Sequence, residues 1–273
     1  GPMSEDSSQN LRHRRDSPTL AGPEADSVTP MSPERVWTVL RGVMAVVILA
    51  SVARQLAASI ASALEYGRDL GVTVANFFSF FTILSNVSSA IVLTWAVVWF
   101  LTRGRDAGGE RRREPRVLAI ALVSVTTYMV ITGVVYNILL RGVELPQGSE
   151  PVPWSNEVLH VVAPLFLLAD AFVAVRRRPL AWRDTLWVLG FPIAWVIYTL
   201  VRGPLVTDPT IGPGYWYPYP FLNPNNPGLV PPGYAGVAVY VVGIAAAIVV
   251  VAYGVVWVGR RRAPVDRPVH ADR

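Results

Sequence analysis

The chain has 273 residues, 52% of them hydrophobic and only 16% charged, with a net charge of +5. Soluble domains carry about 25% charged residues, so this balance is that of a membrane protein. There is no cysteine, which excludes a disulfide framework, a thiolate zinc site and a cysteine nucleophile. All 24 basic residues are Arg, grouped at the ends of apolar blocks; they read as topology signals rather than as a nucleic-acid surface.

Gly1-Pro2-Met3 reads as a protease-cleavage remnant ahead of a natural start, and residues 1–35 as a disordered tail. That stretch is rich in Ser, Pro, Asp and Arg and has too few apolar residues to order itself. It lacks the basic, apolar and small-residue pattern of a cleaved signal peptide. Six apolar blocks follow at 36–60, 73–101, 117–140, 157–175, 182–201 and 234–258. A span needs about 20 apolar residues, so the sequence predicts a six-helix membrane domain over 36–258. A short basic tail, 259–273, ends the chain.

Arginines orient the spans. Loop 102–116 holds Arg103, Arg105, Arg111, Arg112, Arg113 and Arg116; the fourth connection holds Arg176, Arg177, Arg178 and Arg183; the final tail opens with Arg260, Arg261 and Arg262. The alternate loops hold one each: Arg68, Arg141 and Arg202. The positive-inside rule then predicts both termini in the cytoplasm. The lack of Lys suits a GC-rich bacterial genome and hence a bacterial plasma membrane. The last outer loop, 203–233, contains WYPYPFLNP. Its prolines exclude regular helix, and its aromatics favour a lid, either lying at the headgroups or shaping a substrate entrance.

Polar groups within spans are functional candidates by default. The second block carries Ser79, Thr82, Ser85 and Asn86; the third carries Thr126, Thr127, Tyr128, Thr132 and Asn137; the fourth carries Asn156, Glu157, His160 and Asp170. Arg41 and Arg54 lie near the ends of the first block, where they can snorkel. His160 is the one histidine within the spans, since His13 and His270 lie in the tails. A single imidazole excludes bis-histidine haem and a multi-histidine zinc site, so no metal or cofactor is implied. It suits general acid–base work; the plainer reading is a hydrogen bond to a neighbouring helix. Pro164 removes the donor that would meet the His160 carbonyl, so the fourth helix should open there.

Thr82 is the nucleophile candidate, although intramembrane threonines usually back-bond to their own helix. On a continuous helix entered near Thr73 it would lie about 13 Å deep, with His160 about 6–8 Å deep in the fourth. Asn86 and Asn156 each sit one turn from a candidate and could orient the histidine or donate to an oxyanion. Asp170 lies about 15 Å beyond His160, too far for a triad and better placed as a charge at the inner end.

The blocks FFTILSN, NEVLHVVAPLFLLAD and WYPYPFL resemble the androgen-induced-gene and androgen-dependent tissue-factor-pathway-inhibitor-regulating proteins and their actinobacterial relatives. The resemblance implies a multispan hydrolase cleaving fatty acid esters of hydroxy fatty acids, with Thr82 as nucleophile and His160 as its partner. It covers most of the six-span region in order, although Pro164 lies closer to the histidine than in the animal members and the tails have no counterpart. Ser79, Tyr128, Trp216, Tyr217 and Tyr219 are then candidates for the substrate cavity or its lid, with lipid as substrate and surroundings and no nucleic acid. Two other classes stay open: a small-molecule or lipid transporter, and a non-enzymatic lipid-binding protein.

Overall fold

A computed structural model describes residues 31–104, 112–212 and 214–263. The predicted tail up to residue 30, the tail from 264 onwards, and Arg105 and Arg111 of the first basic loop lie outside these residues.

The six-helix membrane architecture expected from the apolar blocks is present. We label the helices α1 (Pro33–Glu65), α2 (Leu70–Phe77), α3 (Phe81–Thr102), α4 (Arg116–Leu140), α5 (Pro153–Val173), α6 (Trp182–Leu205) and α7 (Tyr234–Arg262). All but the short α2 are long and apolar enough to cross a bilayer, and the described residues contain no strand. Several helix boundaries differ from the sequence reading, two of them at the ends of the membrane domain. Pro33 opens α1 with Glu34 in its first turn, where proline and an acid both favour a helix start. The last turn of α7 extends through Arg260, Arg261 and Arg262, where cations suit the dipole.

α4 is the hub. Of its apolar stretch 61% is buried, against 22% for α7. It packs against α3, α5, α7 and the start of α6, while α1 packs against α3 and α5. A helix enclosed on all sides needs an apolar sequence all round, and the fully buried Leu118, Leu122 and Met129 provide it.

The second block is not one helix. α1 stops at Gly67, whose φ of 63° lets the Arg68 N–H return to the Ala63 carbonyl at 2.8 Å. Asp69 then caps α2 by accepting from the Val72 N–H at 2.7 Å. α2 ends at Phe77, and α3 starts afresh at Phe81 after an extended Phe80. No proline or glycine breaks the chain here. Phe80 instead swings into the loop aromatics and meets Trp216 and Tyr219 edge-on, both at 5.6 Å. The Ser79 carbonyl freed by the break accepts from the Trp195 indole at 2.9 Å. Thr82 therefore sits on the first turn of a new helix, not partway down a continuous one.

At the end of the bundle that gathers the start of α1 and the ends of α5 and α7, buried charges form a clasp. Arg41 does not snorkel: it is 5% exposed and grips Asp170 with two nitrogens, at 2.6 and 2.9 Å. Its third nitrogen meets Glu114 at 3.0 Å. Asp170 also accepts from Arg177 at 2.9 Å and from the Trp37 indole at 2.6 Å. Two arginines thus face two carboxylates, and Asp170 is the structural charge that its distance from His160 implied. Removing one member of such a buried set strands the others. Arg41→Leu leaves Glu114 without its ion pair; we expect about 3–5 kcal/mol of lost stability, read as a lower melting temperature in detergent. Adding Glu114→Gln should recover part of the loss.

Candidate functional site

The site grows from two irregular turns that face each other. Near its end α4 loosens into a π-turn over Tyr136–Leu140, and α5 does the same over Val158–Val162. Such wide turns leave carbonyls without their usual partner and cluster at functional sites. In α5 the cause is legible: Pro164 has no N–H for the His160 carbonyl. That carbonyl accepts instead from the Asn137 amide of α4, at 3.2 Å. The helices come close here because residue 133 is glycine. A Cβ at Gly133 would lie 3.1 Å from the Pro164 ring and 3.3 Å from the His160 carbonyl oxygen.

His160 is fixed on two sides. Its ring stacks on Tyr136 with centroids 3.7 Å apart and planes 20° from parallel. Its Nδ1 lies 2.9 Å from the Asn156 carbonyl. A carbonyl only accepts, so Nδ1 carries the proton and Nε2 keeps a lone pair. Asn156 has a second task, donating through its side-chain amide to the Tyr136 hydroxyl at 2.7 Å. Asn156 thus orients both rings, with one of its two amide N–H groups committed to Tyr136. At the adjoining surface, Arg141 pairs with Glu157 at 2.7 Å.

Thr82 differs from most of the other hydroxyl side chains in the bundle. Ser51, Ser89, Thr94 and Thr127 each return their hydroxyl to a carbonyl four residues back. Thr82 has no such bond, because the residue four back lies beyond the helix break. Its hydroxyl instead lies 3.4 Å from the Tyr219 hydroxyl, which also accepts from the Thr82 N–H at 3.3 Å. Burial pushes the Tyr219 phenol above its ordinary pKa, so it is a neutral hydroxyl at physiological pH. Fully buried Asn86 donates to the Thr82 carbonyl at 2.9 Å and to the Leu159 carbonyl at 3.1 Å. Both its donors are used, which leaves none for an oxyanion and makes it the tie between the threonine helix and the turn that carries His160.

A cavity of about 210 Å³ lies among α3, α4, α6, α7 and the aromatic loop. Thr82, Tyr136 and Tyr219 are on its wall, which is otherwise almost wholly apolar. Ile193 and Ile197 of α6 also line it, yet are 54% and 58% exposed, so the cavity opens sideways to the bundle surface. His160 does not line it; Tyr136, on whose ring it stacks, does. Among the described residues no hydrogen bond joins Thr82 to His160.

The remaining candidates divide. Tyr219 lines the cavity together with Phe221 and Leu222 of the same loop. Trp216 and Tyr217 do not: Trp216 donates to the Pro146 carbonyl at 3.1 Å, and Tyr217 packs where a Cβ on Gly203 would lie 2.1 Å from its ring. Ser79 bonds the Ala75 carbonyl and lies 2.9 Å from the Tyr198 hydroxyl, and Tyr128 donates to the Val188 carbonyl at 2.7 Å. These four support the cavity from outside it. The loop's aromatic core is buried against the bundle, and Tyr219, Phe221 and Leu222 shape the cavity wall. Sequence reasoning missed Tyr136 altogether; the signal was its place one residue before Asn137 at the end of a polar-studded span. Among the described residues no group of three or more His, Asp or Glu side chains could hold a metal ion.

Asn86→Leu should cost about 1–3 kcal/mol, since the Leu159 carbonyl loses its cross-helix donor in a fully enclosed place. Detergent melting or denaturant titration reads this loss directly, and a change at exposed Asn225 should have no such effect.

Compared with known protein families, with characterised proteins and with solved structures, the chain matches none of them.

Proposed function

We propose that the protein is an intramembrane lipid ester hydrolase, with Thr82 as nucleophile and His160 as general base. The observation that carries this reading is a threonine hydroxyl, free of its own helix, on the wall of an apolar cavity that opens towards lipid. Acyl chains fit such a wall, and 210 Å³ accommodates part of a chain while the rest extends out between α6 and α7. The substrates are fatty acid esters of hydroxy fatty acids or related lipid esters.

In the first half-reaction Thr82 Oγ1 attacks the ester carbonyl carbon and its proton passes to Nε2 of His160. The leaving alcohol takes that proton as the C–O bond breaks, and water then releases the acyl group from Thr82. The Nδ1 bond to Asn156 keeps His160 in the tautomer that this role requires. Asn86 couples the two helices that carry the pair. Transfer to Nε2 needs a bridging water, because Tyr136 lines the cavity wall and His160 stacks behind its ring.

That same stacking favours a second reading, a lipid-binding protein without turnover, in which His160 only braces Tyr136. The arginine distribution supports cytoplasmic termini, and the exclusive use of Arg supports a bacterial plasma membrane.

Purified protein assayed on a fatty acid ester of a hydroxy fatty acid and on a panel of simpler lipid esters should release free fatty acid. Thr82→Ala and His160→Ala should each lower kcat by about 10²–10⁴-fold with folding intact. Lipid retained without hydrolysis would instead establish the binding reading. Ile193→Trp and Ile197→Trp should slow long-chain esters at least several-fold and short-chain esters far less, since only long chains need the lateral opening.

A further inference from the structure

We propose that Tyr136 is a catalytic residue whose hydroxyl donates the hydrogen bond that holds the ester carbonyl oxygen as that oxygen takes on charge. This rests on the hydrolase reading and supplies the donor that reading leaves unnamed.

Four of the residues that line the cavity carry a side-chain hydroxyl: Thr82, Thr132, Tyr136 and Tyr219. Thr82 is the nucleophile. The Thr132 oxygen has no hydrogen-bond partner among the described residues, but it is enclosed and does not reach the cavity surface. The Tyr219 hydroxyl is engaged with the Thr82 N–H and Oγ1, at 3.3 and 3.4 Å. The Trp195 N–H, also at this wall, is taken by the Ser79 carbonyl. Tyr136 differs from all of these. Its oxygen accepts from the Asn156 amide at 2.7 Å, and its own proton has no acceptor among the described residues. A phenol whose oxygen already accepts a hydrogen bond is a stronger donor, because the two bonds polarise each other in the same direction.

The ring is also held in place. His160 stacks on it at 3.7 Å, and the Arg141 guanidinium carbon lies 5.3 Å from the ring centre. A donor fixed before the reaction needs little reorganisation when charge appears, and in an apolar cavity it competes with little water. As Thr82 Oγ1 bonds to the carbonyl carbon, the C=O π pair moves onto oxygen and the threonine proton leaves to His160. The charged oxygen accepts the Tyr136 O–H without taking its proton. The bond weakens again when the carbonyl re-forms and the alcohol departs. One residue, Asn156, then positions both the base and the oxyanion donor, through its carbonyl and its amide respectively.

Tyr136→Phe keeps the stacked ring and removes only the hydroxyl. With whichever lipid ester the wild type hydrolyses, kcat should fall about 10²–10³-fold with KM little changed. Affinity for an alkyl trifluoromethyl ketone, whose adduct with Thr82 carries the oxyanion, should fall in parallel. A Tyr136→Phe enzyme within threefold of wild type on both readouts, beside an inactive Thr82→Ala, would overturn the assignment and leave the hydrolase reading standing. Wild type inert towards every ester would overturn the hydrolase reading itself, and the donor role with it. Should Tyr136→Phe melt well below wild type, 3-fluorotyrosine at 136 preserves the shape and acidifies the phenol. Its kcat should then shift several-fold, and an unchanged rate would count against the donor role.

Discussion

A helix inside a bilayer has no water to which a stranded carbonyl or N–H can turn, so every interruption must be answered by another part of the protein. The bundle interrupts its helices near the end that carries the cavity and answers each break with a named side chain. Where α2 stops before α3, the Trp195 indole takes the Ser79 carbonyl. Where Pro164 opens α5, the Asn137 amide takes the His160 carbonyl and the His160 ring takes the Asn156 carbonyl. Asn86 reaches across from α3 to the carbonyl of Leu159 in the same turn. The polar residues that satisfy the backbone are thus the residues that hold Thr82, Tyr136 and His160 in position. Irregular backbone is tolerated in lipid only where protein encloses it or a cavity lies beside it, and this chain uses both.

The opposite end of the bundle solves a different problem. Arg41, Asp170, Glu114 and Arg177 bring charge from α1, from the approach to α4 and from the end of α5 into one enclosed set. Desolvation makes such a set a poor source of net stability. It does discriminate sharply between registers, because a one-turn slip of α1 would leave at least one charge unpaired in an apolar setting. Further along, α7 is fastened to the same end, with Arg262 donating to the carbonyls of Ala171 and Ala174 at 3.0 and 3.2 Å. Fixing the helices at one end leaves α6 and α7 free to stand apart beside the cavity at the other.

Chemistry in an enclosed apolar cavity gives large effects to few polar groups. This cavity holds a nucleophile candidate freed by a helix break and a phenol held by an amide, with an imidazole one ring removed. The aromatic loop forms one wall: Tyr219 touches Thr82 directly, and Phe80 packs on both Trp216 and Tyr219. Loop and site are therefore one packed unit.

The sequence alone determined the features that follow from composition along the chain. Six apolar blocks gave six spans, because crossing a bilayer is a matter of length and hydropathy. Pro164 announced the opening at His160, since the missing N–H is a property of the residue itself. Asp170 could be set apart from His160 by helical rise alone. What the sequence concealed depends on partners distant in the chain. The break before Thr82 contains no proline or glycine; it exists because Phe80 is drawn into aromatics some 136 residues later, and only tertiary packing brings those together. Arg41 looked like a snorkelling end-of-span arginine, and only the meeting of α1 with α5 turned it inward to Asp170. Tyr136 carried only a faint local signal, its place beside Asn137, because its importance comes from Asn156 and His160 on another helix. Local rules decide where a helix can exist and where it must fail. The identity of the group that answers each failure is settled by which helices touch.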